Sequence, residues 1–222
     1  MEERRLLVFV RSPEKGRVKR RIAAFLGDDA ALALYRCFVE DTLGLARQAA
    51  CPFTVCFHPP EARPVVEAWL GPEVRCVPQM GKDLGERMYR ALCKALDEAR
   101  RVVLIGSDIP GLPPEMLLEA FAGLETHDAV IGPSMDGGYY LIGFTSEALL
   151  PAPFEAIGWG APDVFRSTMD IFQEKKLTVH ILPPWNDLDD YGDLEAFYAS
   201  SMNEPEGMFR TVDLLRSLFR KA

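Results

Sequence analysis

Asp108 stands directly after VVLIGS (residues 102–107), a run of β-branched and aliphatic residues that ends in two small ones. Such a run reads as a strand buried on both faces. An acid just past the carboxyl end of a central parallel strand lies where open α/β sheets receive their ligands. Gly106, Ser107 and Gly111 leave room for a large ligand. A carboxylate there suits a divalent cation held against phosphate oxygens. The same position also suits a turn or cap residue ahead of the helix that opens near Pro114. The other chemistry-bearing residues have to decide between the two.

The loop after the first apolar run, RSPEKGRVKRRI (residues 11–22), is the second candidate. Arg11, Lys15, Arg17, Lys19 and Arg20 supply positive charge, and Gly16 supplies the backbone freedom of a tight loop. Backbone N–H groups in such loops cradle phosphate oxygens, and arginine binds phosphate through two parallel bonds. The loop is neither GxxxxGK[ST] nor GxGxxG, so neither a P-loop nor a dinucleotide fingerprint is present. A solvated basic loop is the plain alternative. The whole chain of 222 residues has 25 basic and 33 acidic side chains and a net charge of -8. That balance excludes binding of nucleic acid or an anionic membrane by the whole surface. A basic loop on an acidic protein suits a small anionic ligand.

Three further stretches carry polar chemistry. PQMGKDLGERM (residues 78–88) opens a helix whose N-terminus favours anions, with Asp83 as its cap in the structural reading. Asp136-Gly137-Gly138-Tyr139-Tyr140 either lets a ligand approach the backbone or makes a hairpin-like turn. Trp159, between two glycines, is either a stacking wall or a core residue. Asp187, Asp189, Asp190 and Asp193 repel one another unless a cation or water screens them. Asp193 is well placed as a helix cap, and at least one of the others is a candidate second metal ligand beside Asp108. The scattered His58, His127 and His180 receive no role, and no GxSxG elbow is present.

The elements that must position these groups follow from hydrophobic period. Strands are expected at residues 6–10, 53–57, 74–77, 102–105, 129–132, 139–144 and 177–182. Helices are expected at 28–49, 64–70, 84–99, 114–124, 161–176, from about 193, and in the tail 208–221. Alternating strands and helices predict an α/β fold with a mostly parallel sheet and a mixed-direction edge after Gly132. The expected organisation is one domain over residues 1–200 and a C-terminal helical appendage over 201–222, joined by a mobile SMNEPEG (201–207). Five cysteines without CxxC spacing read as reduced thiols packed as small hydrophobes. The first apolar run is too short for a signal peptide or a membrane span, so a cytoplasmic protein is expected.

Taken in order, RSPEKGRVKRRI, DLGERM, GSDIPGL, DGGYYLIG and NDLDDYGDL give the chain a family likeness. It resembles a bacterial nucleotide-diphospho-sugar transferase family that is also catalogued as a domain of unknown function. The likeness runs from Leu6 to Phe197. It extends to the superfamily of phospholactate guanylyltransferase and the molybdenum-cofactor nucleotidyltransferases. The resemblance implies a three-layer α/β/α, GT-A-like (Rossmann-like) fold. It implies that Arg11, Gly16, Arg17 and Lys19 hold phosphates and that Leu84, Gly85 and Arg87 border the base or ribose. Asp108 would bind Mg²⁺ or Mn²⁺, with Asp189 as the late acid. That loop reads DLDDYGDL where relatives commonly read DVDTPEDL, and GWGAP stands where relatives tend to have PWSTP.

The function expected is metal-dependent transfer of a sugar from a nucleotide-diphospho-sugar to an acceptor. Asp136 is a candidate base, with Gly137, Gly138 and Trp159 on the substrate. The alternatives are a nucleotidyltransferase that acts on an NTP and a phosphorylated acceptor, and a non-catalytic nucleotide-binding module. The expected partner is a nucleotide or nucleotide-sugar, with no nucleic acid.

Overall fold

The computed structural model describes residues 2–155, 157–205 and 207–220. The first half of the chain alternates strands and helices. It contains β1 (Glu2–Arg11), α1 (Arg20–Leu26), α2 (Asp28–Gln48), β2 (Phe53–His58), α3 (Arg63–Leu70), β3 (Cys76–Pro78) and α4 (Leu84–Leu96). Then come β4 (Ala99–Ile105), α5 (Pro114–Gly123), β5 (Ala129–Pro133), β6 (Tyr139–Thr145) and the short α6 (Ala152–Glu155). The chain ends with α7 (Val164–Glu174), β7 (Val179–Ile181), α8 (Tyr191–Ser200) and α9 (Arg210–Phe219).

The strands form one sheet in the order β3-β2-β1-β4-β6-β5-β7, with β4 in the middle. Leu6 of β1 pairs in parallel with Phe53 on one side and Val103 on the other. β6 runs antiparallel to both β4 and β5, and the remaining pairings are parallel. The reversed strand was expected at an edge and instead lies inside the sheet. Tyr140, Leu141, Ile142 and Phe144 are all buried, so β6 has two apolar faces to cover and needs neighbours on both sides.

Alternation along the strands divides the core into two layers. Leu6, Val8 and Val10 face a cluster that includes Tyr35, Val39 and Leu43 of α2, Val66 of α3 and Leu117 of α5. Leu7, Val102 and Leu104 face the other, with Met88 and Leu92 of α4, Phe154 of α6 and Phe172 of α7. A third cluster lies off the sheet, where Ile22, Leu34, Phe38, Leu194 and Leu215 join α1, α2, α8 and α9.

Several boundaries differ from the sequence reading, among them β1, which starts four residues early at Glu2. The loop expected through residue 22 ends at Lys19, because α1 begins at Arg20. Seven residues are too few for periodicity to reveal a helix that exists by packing Ile22 into a tertiary cluster. β4 begins at Ala99, and α4 therefore ends at Leu96. α7 begins at Val164, behind a loop that packs on the active face. Asp41 of α2 accepts the backbone N–H groups of Arg210 and Thr211, both at 2.9 Å, and so caps α9. The segment expected to be a mobile connection includes Glu206, which lies outside the described residues. Next to it, the Arg216 guanidinium donates to the Glu204 carbonyl. All five cysteines are free thiols. No helix among the described residues is long and apolar enough to cross a membrane.

Every strand except β6 points its carboxyl end to the same side of the sheet. Arg11, His58, Gly106 to Asp108, Ser134 to Asp136 and the chain beyond β7 all emerge there.

Candidate active site

The chain leaves β4 through Gly106 and Ser107 and presents Asp108 at the mouth of the sheet. The Leu188 N–H donates to the Asp108 carbonyl at 2.8 Å, which stitches the late acidic loop to the end of β4. Asp189 is thereby brought beside Asp108. Between their carboxylates lies one ammonium. Lys19 Nζ is 2.9 Å from Asp108 Oδ2 and 2.8 Å from Asp189 Oδ1. Lys19 takes a left-handed backbone at the start of α1 (φ 45°, ψ 50°), uncommon for a residue with a Cβ. Its side chain is 6% exposed, against 37% for Asp108 and 45% for Asp189. Burial opposes the lysine charge, but Asp108 and then Asp189 outweigh it and hold its pKa above the ordinary value. For Asp189, burial raises the pKa but the Lys19 ammonium more than compensates, so the carboxyl sits below its ordinary range.

The other acids of the late loop divide cleanly. Asp190 caps α8 by accepting the Asp193 N–H, and Asp193 returns the contact by accepting the N–H groups of Asp189 and Asp190. This reciprocal box accounts for both residues, with Asp190 as the cap that was expected at Asp193. Asp187 is pushed up to about 6, first by burial and then by the charges of Asp189 and Asp136.

A cavity of about 560 Å³ opens in front of Asp108 and Asp189. Arg11, Arg17, Lys19, Arg20, Arg21 and Arg87 all line it. Sequence reasoning missed the groups that fix its floor. Tyr35 Oη accepts the Arg11 N–H at 2.6 Å and donates to the Arg11 carbonyl at 3.1 Å. The buried Gln79 amide donates to the carbonyls of Cys56 and Val10. Tyr35 fits the apolar stripe of α2, and nothing in its spacing marks it as a site residue. Leu84 lines the cavity from the first turn of α4, where Asp83 is the cap, accepting the Glu86 N–H at 2.8 Å. Gly16 does not line it. Gly16 instead turns the loop at φ 74°, near Asp28.

A second cavity of about 510 Å³ adjoins the first and shares Phe9, Arg21, Leu84, Gly106 and Asp189 with it. Asp136, Gly138, Tyr139 and Trp159 lie on its wall. Asp136 Oδ1 accepts the Ser134 hydroxyl and, at 2.9 Å, the Gly138 N–H, so the carboxylate is fixed by its own turn. The Trp159 ring meets Tyr139 edge-on at 6.3 Å. Gly85 and Gly137 line neither cavity. A Cβ on Gly85 would lie 2.5 Å from Trp159 Nε1, and one on Gly137 would lie 1.9 Å from the Pro162 carbonyl oxygen. These two glycines seat the loop that carries Trp159, so the close approach inferred from sequence is made by protein.

Among the described residues no three His, Cys, Asp or Glu side chains are grouped to hold a metal ion. Asp108 and Asp189 nevertheless aim oxygens at a single point that a positive charge already fills. Paired carboxylate oxygens that face a phosphate-binding cavity fit Mg²⁺ or Mn²⁺, which take their remaining ligands from water and substrate.

A parallel sheet with one internal reversed strand, a basic cavity at its carboxyl edge and an acid after the middle strand define an α/β fold of the nucleotidyl- and glycosyl-transferase type. Residues 42–161 match the model of the family described as an uncharacterized protein conserved in bacteria (DUF2064), and the chain belongs to that family. The crystal structure of a protein named a putative nucleotide-diphospho-sugar transferase, from Desulfovibrio desulfuricans G20, is 41% identical. It covers 100% of this chain and 98% of its own, with a TM-score of 0.94. The 4-diphosphocytidyl-2C-methyl-D-erythritol synthase of Anaerococcus prevotii DSM 20548 shares the fold at 13% identity, with TM-score 0.60 and coverage of 91% and 99%. Rv0371c of Mycobacterium tuberculosis H37Rv, in complex with manganese, does so at 16% identity, with TM-score 0.54 and coverage of 88% and 97%. Nothing among the curated proteins matches.

Proposed function

We propose that this protein is a metal-dependent glycosyltransferase that takes a sugar from a nucleotide-diphospho-sugar. The observation that carries the reading is the convergence of Asp108 and Asp189 on one cation position at the rim of an arginine-lined cavity. The 41% identical relative bears a name of the same class, and a more distant protein of this fold was crystallised with manganese.

In this reading Arg11, Arg17 and Lys19 bind the diphosphate, and Leu84 and Arg87 border the nucleoside. Asp108 and Asp189 hold Mg²⁺ or Mn²⁺, which when bound stabilises charge on the diphosphate. The bond from the anomeric carbon to the diphosphate oxygen breaks, and its electron pair leaves with the diphosphate. A new bond forms from that carbon to an acceptor hydroxyl oxygen. The hydroxyl proton passes to Asp136 Oδ2, the oxygen left free by the turn contacts on Oδ1. The arginines lining the cavity serve the same leaving charge.

A second reading, nucleotidyl transfer from an NTP to a phosphorylated acceptor, draws on the fold shared with the Anaerococcus synthase. The products separate the two. Incubation with a panel of nucleotide-sugars and NTPs in Mn²⁺ should release nucleoside diphosphate if sugar is transferred. Pyrophosphate release would establish the second reading. Nucleotide binding with no product under any metal would leave a binding module.

A further inference from the structure

The two cavities carry opposite charge. The first faces six cationic side chains. The second has Asp136 and Asp189 on its wall with a single cation, Arg21, and that guanidinium lies 3.8 Å from Asp189. Phe9, Leu84, Met88, Leu104, Trp159 and Val164 give that cavity apolar surface, beside Tyr139 and Tyr140. Asp189 is compensated by Lys19 at 2.8 Å, whereas Asp136 has no ion pair among the described residues. A phosphate or carboxylate placed against Asp136 would therefore meet an uncompensated charge of its own sign, and such juxtaposition selects against a ligand. An aromatic wall with one fixed carboxylate suits the opposite chemistry. Aromatic faces stack on the C–H faces of a ring, while the carboxylate accepts a hydroxyl proton. Asp136 is held in place for this by Ser134 and Gly138.

We infer that the second cavity receives an uncharged acceptor, a hydroxyl compound with an apolar or ring-shaped body, and rejects a phosphorylated one. The inference rests on the proposed glycosyl transfer and supplies its missing substrate class.

The test uses two probes with the same aryl body, 4-nitrophenyl β-D-glucopyranoside and 4-nitrophenyl phosphate. Each is titrated into the full chain while tryptophan fluorescence is followed. The signal counted is the part of the quenching that Trp159→Phe removes, which excludes phosphate bound among the arginines. The glucoside should saturate that signal at a concentration at least about tenfold below the phosphate, and Asp136→Asn should narrow the gap. Equal or tighter binding of the phosphate at Trp159, or no saturable signal from the glucoside, would overturn the inference. Calorimetry with UDP, GDP and CDP in Mn²⁺ reads the first cavity separately. A nucleotide that binds beside a glucoside that does not sinks the acceptor class alone. A glucoside that binds where no nucleotide does sinks the transfer reading and leaves the charge selectivity of the cavity in place.

Discussion

The Lys19 ammonium lies 2.8 Å from an Asp189 carboxylate oxygen, across 170 positions of sequence. The same nitrogen touches Asp108. Under the proposed metal role the lysine stands where a divalent cation would be ligated, and cation and lysine would compete for the same oxygens. A cation held by Asp108 and Asp189 would free the ammonium for the diphosphate. Lys19→Met should therefore strengthen Mn²⁺ binding in the absence of nucleotide by about tenfold, or about 1.4 kcal/mol. It should weaken nucleoside diphosphate binding in the same preparation. Titration of Mn²⁺ by electron paramagnetic resonance checks the first effect and calorimetry the second.

Removal of the middle-strand acid should separate binding from stability. In Asp108→Ala, Lys19 keeps Asp189 as a partner, and the lost carboxylate is more than a third exposed. Lys19 is 6% exposed and loses the first of its two compensating charges, so the unfolding free energy should fall by about 1–2 kcal/mol with the fold retained. Metal-dependent nucleotide affinity should vanish, and unchanged affinity in a Mn²⁺ titration counts against the metal role of Asp108.

Arg17 lines the basic cavity while its side chain is 79% exposed, and its ion pair with Glu14 spans 3.2 Å. Arg17→Ala should cost about 1.5 kcal/mol of diphosphate affinity, the loss of one charge-assisted bond, and leave nucleoside affinity unchanged. Equal losses for both would make Arg17 a surface residue only.

Gly137 tests whether the loop bearing Trp159 is seated by the glycine. Its φ of 92° disfavours any side chain, and a Cβ would penetrate the Pro162 carbonyl. Gly137→Ala should destabilise the protein by about 1–3 kcal/mol and shift the Trp159 emission as the loop lifts. An unchanged melting temperature and spectrum would show that the loop does not depend on this contact.

The pH dependence of stability should show the ion pairs at the base of the sheet. Arg5, with its side chain 9% exposed, binds Glu2 and Glu98, and Glu98 also binds Arg75. Arg5 holds the Glu2 carboxyl below its ordinary 4.5, and Arg75 and then Arg5 do the same for Glu98. A depressed carboxyl pKa stabilises the native state above the ordinary value, and that stability is lost as pH falls through the depressed value. Arg5→Met should therefore lower the melting temperature at pH 7 and converge on the wild type once pH has fallen below the depressed carboxyl values. A gap that persists at low pH would assign the effect to packing of the arginine stem.

Much of this protein is legible along the chain. Continuous apolar runs such as VVLI mark strands buried on both faces, because a sheet covered by helices leaves no polar side. An acid at the end of such a run, and cations in the first loop, follow from local composition and order alone. Tertiary structure decided what no local pattern encodes. The place of β6 inside the sheet depends on which neighbours cover its second face. The glycines at 85 and 137 proved to admit Trp159 and Pro162 of their own chain. The meeting of Lys19 with Asp189 depends on one backbone bond from Leu188 to Asp108 and on a left-handed turn before α1. Periodicity reports which face of an element is apolar, but not which distant charge lies opposite, because the fold chooses that partner only when the elements pack.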